Sequence, residues 1–469
     1  MIRLFSAAAF AALALAGPAA AQTPRPDQLA FRELYKELIE INTTLSSGSC
    51  TAAAEAMAGR LKAAGFADED LKIIAPPERP KDGALIATLK GSDPKARPIL
   101  LLAHIDVVEA NRADWERDPF KLVEEDGFFY ARGASDDKAQ AAIWTDSLAR
   151  YKKEGFKPRR TLKMALTCGE ETPDTFNSVQ YLIANHKDLM DAEFVLNEGA
   201  GGRLDKDGKR VSLGIQAGEK VYQDYTLEVT NKGGHSSVPV RDNAIYHLAG
   251  ALARLGVHDF PVKLNDAVRG NFERMAVIEG GESGAAMAAV AKNPADAEAV
   301  ARVAQDPGRN SMMRTTCVAT MASAGHAPNA LPQRARANVN CRILPGEGVE
   351  EVRQALVKVL ADDAIKVTTV GVPSPVSPPP SLGKTITGPV EQVSKKMWPG
   401  VPLVPVMATG ATDGRFLNAV GIPTYGLSGL FGEPEGNGAH GLNEKMRVRS
   451  LYEGRDFLHE VVKLYANQK

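Results

Sequence analysis

Three apolar runs constrain this chain more than any other feature: "PILLLAHIDVV" (98–108), "TLKMALTCGEE" (161–171) and "EFVLNEG" (193–199). Each reads as a short strand that ends in ionisable side chains. With "GALIATL" (83–89), they alternate with helical segments, a pattern that predicts an α/β domain with a mixed, mostly parallel sheet flanked by helices. In such a sheet the functional crevice lies at the carboxyl ends of the strands. That is where His104, Asp106, Glu170, Glu171 and Glu198 fall.

Around this core the texture changes twice. Residues 28–66 read as two helices, "LAFRELYKELIEI" and "TAAAEAMAGRLKAAGF", with Gly65 as a stop signal. From about residue 218 the pattern turns to alternating strands, "VYQDYTLEVTNKGG", "TTCVATMASA" and "ARANVNCRIL", with the helices "AIYHLAGALARLG" and "GVEEVRQALVKVLAD" and a final strand "AIKVTTVGV". This is an α+β composition, interrupted by a polar, alanine-rich section at about 262–310. The proline-dense "VPSPVSPPPSLG" reads as a stiff connector, after which helix and strand alternate again. The expected organisation is a catalytic domain at 22–217 and 378–469, interrupted by an inserted α+β domain at 218–377. Residues 1–21, with Arg3, an apolar middle and the small triplet Ala19-Ala20-Ala21, read as a secretory signal cut after Ala21. The competing reading is a membrane anchor, for which the run is short. Export, to a bacterial periplasm, is the expectation.

With 56 Lys and Arg against 57 Asp and Glu, the formal net charge of −1 offers no electrostatic footprint for nucleic acid or an anionic membrane. Affinity must come from a local site. The four cysteines (Cys50, Cys168, Cys317, Cys341) are too scattered for a disulfide scaffold, and none forms a CxxC pattern. Cys317 and Cys341 lie in strand-like runs able to pair, yet the expectation is buried free thiols.

In "GASDDKAQ" (133–140), two aspartates precede a helix whose cap needs only one. HxD at 104–106 is weak alone, and any one of Glu170, Glu171 and Glu198 could be a solvated loop acid. Three strand ends and the Asp136–Asp137 pair converging on one sheet edge call for a cation, since a buried unpaired carboxylate costs several kcal/mol. Two divalent ions satisfy the pattern if Asp136 bridges them, His104 and Glu198 hold one, and Glu171 and His440 of "GNGAHGLNE" hold the other. Mixed nitrogen and oxygen donors suit zinc, with cobalt or manganese as substitutes. Asp106 is then the partner that orients His104, and Glu170 is free to act as general base.

The segments "HIDVV", "RGASDDK", "GEE", "NEG", "GGHSSVP" and "GAHGLNE", in this order, resemble the dinuclear zinc amidohydrolases and exopeptidases that include aminoacylase, carboxypeptidase G, acetylornithine deacetylase and succinyl-diaminopimelate desuccinylase. The resemblance implies five metal ligands (His104, Asp136, Glu171, Glu198, His440), a cis peptide between Asp136 and Asp137, and Glu170 as general base and acid. It implies that the inserted domain is a lid that also forms a homodimer, and that His235 reaches a partner subunit's site as an oxyanion donor. It further implies that Asn329 and Arg342 bind a substrate carboxylate, with Thr412 of "GATDGR" as an added contact. His235 and Arg342 also have plainer readings, as a turn histidine and a surface strand arginine. His186, His247, His258 and His326 lack comparable context and read as structural or solvated. The chain departs from the family pattern at Ala131 and Ala139, at Cys168 beside Glu170, where a thiol could perturb the metals or be oxidised, and in the 262–310 section.

The expected activity is hydrolysis of the amide bond of a small peptide or N-acyl amino acid with a free carboxylate. The resemblance implies that glutamate at 198, where aminopeptidase and dipeptidase members tend to have aspartate, leans toward carboxypeptidase or deacylase action. Two alternatives stay open: a catalytically idle metal-dependent binding module, and an ester or lactam hydrolase on the same metal pair.

Overall fold

The computed structural model describes residues 24–172 and 175–469. The proposed signal at 1–21 lies outside the described residues. The apolar runs become Ala84–Leu89, Ile99–His104, Leu162–Thr167 and Phe194–Asn197 in a ten-stranded mixed sheet. Ile99–His104 lies between Leu162–Thr167 and Phe194–Asn197 and is parallel to both. Thr424–Gly426 extends the parallel set beside Phe194–Asn197. All six residues of Ile99–His104 are buried, as expected of a strand covered on both faces. Helix Lys138–Lys153 covers one face, and its Trp144 Nε1 donates to the Leu102 carbonyl at 3.0 Å. Helix Ser178–Asn185 packs on the other face through Val179 and Leu182.

Arg210–Glu219 leaves this sheet and, after Lys220, becomes Val221–Thr230 of a second, four-stranded antiparallel sheet. The order there is Thr316–Ala324, Arg334–Ile343, Val221–Thr230, Lys366–Thr369. Helices Ala244–Gly256 and Val349–Leu360 cover one face and share a separate core that includes Tyr225, Leu227, Val339 and Leu356. The alanine-rich section forms four helices, Asp266–Glu279, Gly281–Lys292, Ala297–Val303 and Pro307–Met313. Although the section interrupts the elements of the second sheet, Val268, Phe272, Met275, Met287 and Val290 join the larger core, and Asn271 Nδ2 donates to the Pro405 carbonyl at 2.8 Å. Among the described residues no helix is long and apolar enough to cross a membrane.

The expectation of free thiols is corrected. Cys317 is bonded to Cys341 and Cys50 to Cys168. The first pair follows from strand register, because Cys317 and Cys341 are direct cross-strand neighbours. In the second, the first turn of helix Cys50–Ala63 is brought against the end of Leu162–Thr167, with the two Cα atoms 6.1 Å apart, ordinary disulfide spacing. Position 168 therefore carries no thiol to perturb the neighbouring acids.

Candidate metal centre

The carboxyl ends of three adjacent parallel strands supply most of the site. His104 is the last residue of its strand; Glu170 and Glu171 follow Leu162–Thr167, and Glu198 follows Phe194–Asn197. The loop before helix Lys138–Lys153 brings in Asp136 and Asp137, joined by a cis peptide bond. Asp137 sits at the N-cap position but makes no capping bond. The adjacent negative charges are thus not explained by the helix end.

Asp136 faces two ways. Its Oδ1 lies 3.1 Å from His104 Nε2, and Glu198 Oε1 lies 3.7 Å from the same nitrogen. Its Oδ2 lies 3.2 Å from His440 Nε2, which is 2.9 Å from Glu171 Oε2. Tetrahedral zinc with ligands at about 2.0–2.2 Å separates neighbouring donor atoms by roughly 3.4 Å. The observed spacings bracket that value around His104, at 3.1 and 3.7 Å, and lie just below it around His440, at 2.9 and 3.2 Å. The donor set therefore fits a pair of divalent cations: His104 and Glu198 on one side, His440 and Glu171 on the other, with Asp136 between. Asp137 is a further acid within reach of His104 and Glu198.

Burial makes the protein-only electrostatics unfavourable, the second sign of fit. It pushes Glu170 and Glu198 well above the usual carboxylate range, against the pull of His104, and pushes Glu171 up to about 7. Burial works against Asp136 too, but hydrogen bonds from His104 and His440 hold it below that range. The Asp136 hydrogen bond lifts His440 to about 9. For His104, burial opposes protonation and is outweighed by Glu198 and Asp136. So many acids converging here cannot all ionise without added positive charge.

Asp106 differs from the expected geometry. The strand ends at His104, so the two are not strand neighbours; His104 Nδ1 lies 3.1 Å from the Asp106 main-chain oxygen and 3.6 Å from its Oδ1. Asp106 Oδ2 accepts the Glu171 N–H at 3.0 Å, tying one strand end to the next.

Glu444 carries a role that sequence reasoning missed. Fully buried, its Oε1 accepts from Ser135 N, Ser135 Oγ and Asp136 N at 2.7–3.0 Å, and its Oε2 from Arg132 Nη1 and Gly133 N at 2.9 Å. Arg132 also donates to the Gly441 carbonyl at 2.8 Å. Glu444 thus clasps the loop holding Asp136 to the loop holding His440. The only sequence signal was its place in "GAHGLNE". Asp413 is a second such residue, buried and held by Thr167 Oγ1 and Asn177 Nδ2.

The remaining candidates lie outside the cluster. His235 is exposed in a two-residue ribbon, Gly234–His235 with Ala330–Leu331, and its Nδ1 is 2.7 Å from Ser237 Oγ. Asn329 adjoins it, its carbonyl accepting from Ser236 N at 3.1 Å. Arg342 lies on the second sheet over the Tyr222 ring, 4.7 Å from its centroid, with no carboxylate within ion-pair distance among the described residues. No described contact joins these three to the cluster within one chain. Thr412 donates its N–H to Glu219 Oε2 at 2.9 Å, and its hydroxyl accepts from Asn197 Nδ2 and Gly414 N. Of the other histidines, His247 bridges Asp242 and Asp362, and His258 packs on Phe260.

Residues 100–464 match the family model described as "Peptidase family M20/M25/M40". Among curated proteins, the chain is 29% identical over 455 residues to the human N-fatty-acyl-amino acid synthase/hydrolase PM20D1, covering 94% of this chain and 89% of that one. It is 28% identical to a probable carboxypeptidase S-like 2 of Dictyostelium discoideum, covering 81% and 74%. Its fold is similar to that of the M20 family metallo-carboxypeptidase Sso-CP2 from Sulfolobus solfataricus, with a TM-score of 0.68, 20% identity and 93% and 99% coverage.

Proposed function

The chain belongs to peptidase family M20/M25/M40, which makes it a metal-dependent hydrolase of amide bonds, and from that premise we propose that it deacylates N-acyl amino acids or trims small peptides that carry a free carboxylate. The observation that carries the reading is Asp136, whose two oxygens each face a histidine backed by a glutamate. His104, Asp136 and Glu198 would hold one zinc, and His440, Asp136 and Glu171 the other, with cobalt or manganese as substitutes. Such a pair supplies Lewis acidity that lowers the pKa of water and polarises a carbonyl.

Glu170 takes the proton from the attacking water and returns it to the leaving amine nitrogen. Burial and the neighbouring acids push its carboxyl well above the usual carboxylate range, the direction in which glutamates that trade protons in catalysis are tuned. Asp106 holds His104 and the Glu171 main chain in place. Arg342, with no carboxylate within ion-pair distance among the described residues, binds the substrate carboxylate with Asn329; a guanidinium matches that anion in bidentate geometry. Thr412 adds its hydroxyl proton.

The assembly we propose is a homodimer through the inserted domain. Thr316–Ala324 is an edge strand with Val318 60% and Met321 71% exposed, the kind of open edge that proteins usually cover. The exposed position of His235 is compatible with service as an oxyanion donor in a partner's site. Residues 1–21 are proposed as an export signal to the periplasm, so the mature chain would begin at Gln22.

The test is amine release by the zinc-loaded protein from a panel of N-acyl amino acids and dipeptides, with and without chelator. Chelator-sensitive release supports the reading. Release of amine from no member, with full metal occupancy, would leave the idle binding module; turnover of esters or lactams alone would favour the third reading.

A further inference from the structure

The chain passes from the larger sheet to the smaller one at Lys220, and an arginine from each domain is tied to that passage. On the larger side, Lys220 N donates to the Ala408 carbonyl at 3.0 Å and Glu219 Oε2 accepts the Thr412 N–H at 2.9 Å. These bonds pin the loop of "GATDGR" to the crossing. The loop then folds back, Thr412 Oγ1 accepting from Gly414 N and the Thr412 carbonyl from Arg415 N, so that Arg415 enters helix Gly414–Ala419 near its start. On the smaller side, Arg342 lies directly between Tyr222 and Thr316 on the neighbouring strands. Tyr222 follows the crossing by two residues, and Thr316 is bonded to the Lys220 ammonium at 3.2 Å.

Neither guanidinium meets a carboxylate within ion-pair distance among the described residues. Both side chains are half-buried. The Arg415 guanidinium lies over the Phe416 ring, and its buried Nε has no acceptor. The acids that feel these two charges are bonded elsewhere: Asp413 to Thr167 and Asn177, Glu219 to Thr412, and Asp224 to Tyr222, Asn338 and Asn340. Burial first, and the Arg415 charge with it, pull Arg342 below its ordinary value against Tyr222 and Asp224, so the two cations stand within electrostatic reach of each other. Like charges gathered in a half-buried place, with donors to spare, are relieved by an anion between them.

Resting on the proposed hydrolase reading, we propose that Arg415 is a second binding residue for the substrate carboxylate, so that one anion is clamped by a guanidinium from each domain. The clamp makes a free carboxylate a condition of good binding.

The test compares N-hexanoyl-leucine with its C-terminal carboxamide, which keeps the scissile bond and loses the charge, on the zinc-loaded protein. A hydrogen bond to a charged group is worth roughly 10–100-fold in affinity. Arg415→Met should lower the acid-to-carboxamide ratio of kcat/KM by that factor, chiefly through the KM of the acid. Arg415→Lys, which keeps the charge without the fork, should recover part of the loss. Because both guanidiniums hold one anion, Arg342→Met combined with Arg415→Met should cost less than the product of the single losses. Each ratio is taken on one preparation, so a loss of folded protein cancels. Calorimetric binding of the acid to the zinc-loaded Glu170→Gln protein, with and without Arg415→Met, reads the same contact without turnover. A ratio and an affinity unchanged by Arg415→Met, a loss shared equally by acid and carboxamide, or single losses that simply multiply would overturn the clamp while leaving amide hydrolysis intact. Amine release from neither compound, with acid binding still weakened by Arg415→Met, would instead overturn the hydrolase reading and leave the clamp standing.

Discussion

Replacing Glu444 by glutamine tests how the two loops of the metal centre are held. The change preserves shape, and the side-chain carbonyl can keep the three donors now served by Oε1: Ser135 N, Ser135 Oγ and Asp136 N. The new NH₂ group then points at Arg132 Nη1 and Gly133 N, two donors facing a donor. Arg132 is only 3% exposed and stacks on Trp115, so its charge has no route to water. Removing one partner of a buried pair costs about 3–5 kcal/mol, and urea unfolding of the metal-loaded protein should read a loss of that size. Because Asp136 N hangs from the same carboxylate, zinc affinity should fall about 10–100-fold, as it does when a residue supporting a ligand is lost. Adding Arg132→Met removes the stranded charge and should recover about 2–3 kcal/mol, a coupling well above the ~0.5 kcal/mol scatter of independent sites. A loss below about 1 kcal/mol with unchanged zinc affinity, or strict additivity in the double variant, would refute the clasp.

Glu170→Gln should retain both metals by elemental analysis while lowering kcat about 10²–10⁴-fold; turnover near the wild-type rate would remove Glu170 from proton transfer. Burial raises Glu219 to about 7 from an ordinary 4.5, with its Oε1 lacking a hydrogen-bond partner. A raised carboxyl pKa favours the fold fully below the unfolded value, and that contribution is lost as pH rises through about 7. Glu219→Gln should therefore flatten the decline in stability between pH 5 and 8 by about 3 kcal/mol, the equivalent of the 4.5-to-7 shift, and parallel melting curves for the two proteins across that range would contradict it. Cys50→Ser removes a link between residues 118 apart and should cost about 2–4 kcal/mol in denaturant; an unchanged midpoint would mean that the helix Cys50–Ala63 is held by packing alone.

What could be read from the sequence was local or periodic. The runs ending at His104, Thr167 and Asn197 announce buried strands by composition, and an open α/β sheet gathers whatever follows them. Hence His104, Glu171 and Glu198 were legible as a group before any coordinates. Glu444 was not, because its meaning lies in five donors reached across about 310 residues of chain. The Asp106 contact to His104 through a main-chain oxygen was equally hidden, since strand alternation says nothing once the strand has ended. The cysteines divide in the same way: Cys317 and Cys341 sit in strands whose pairing could be guessed, whereas Cys50 meets Cys168 only through the packing of a helix on a sheet. The alanine-rich helices misled by position, lying between elements of the smaller sheet while burying their apolar sides in the larger core.

That excursion changes how freely the smaller body can turn. An insert spliced into a host once is tethered by two passages of chain and can swing about the line between them. Here the polypeptide crosses at 219–221, returns near 257–266, crosses again at 313–316 and comes home through 370–383. The buried Lys220 ammonium, bonded to Ser311 and Thr316, fastens the first and third crossings to each other. Four passages of chain, the first and third of them bonded to each other, restrain turning of the smaller body more than two would.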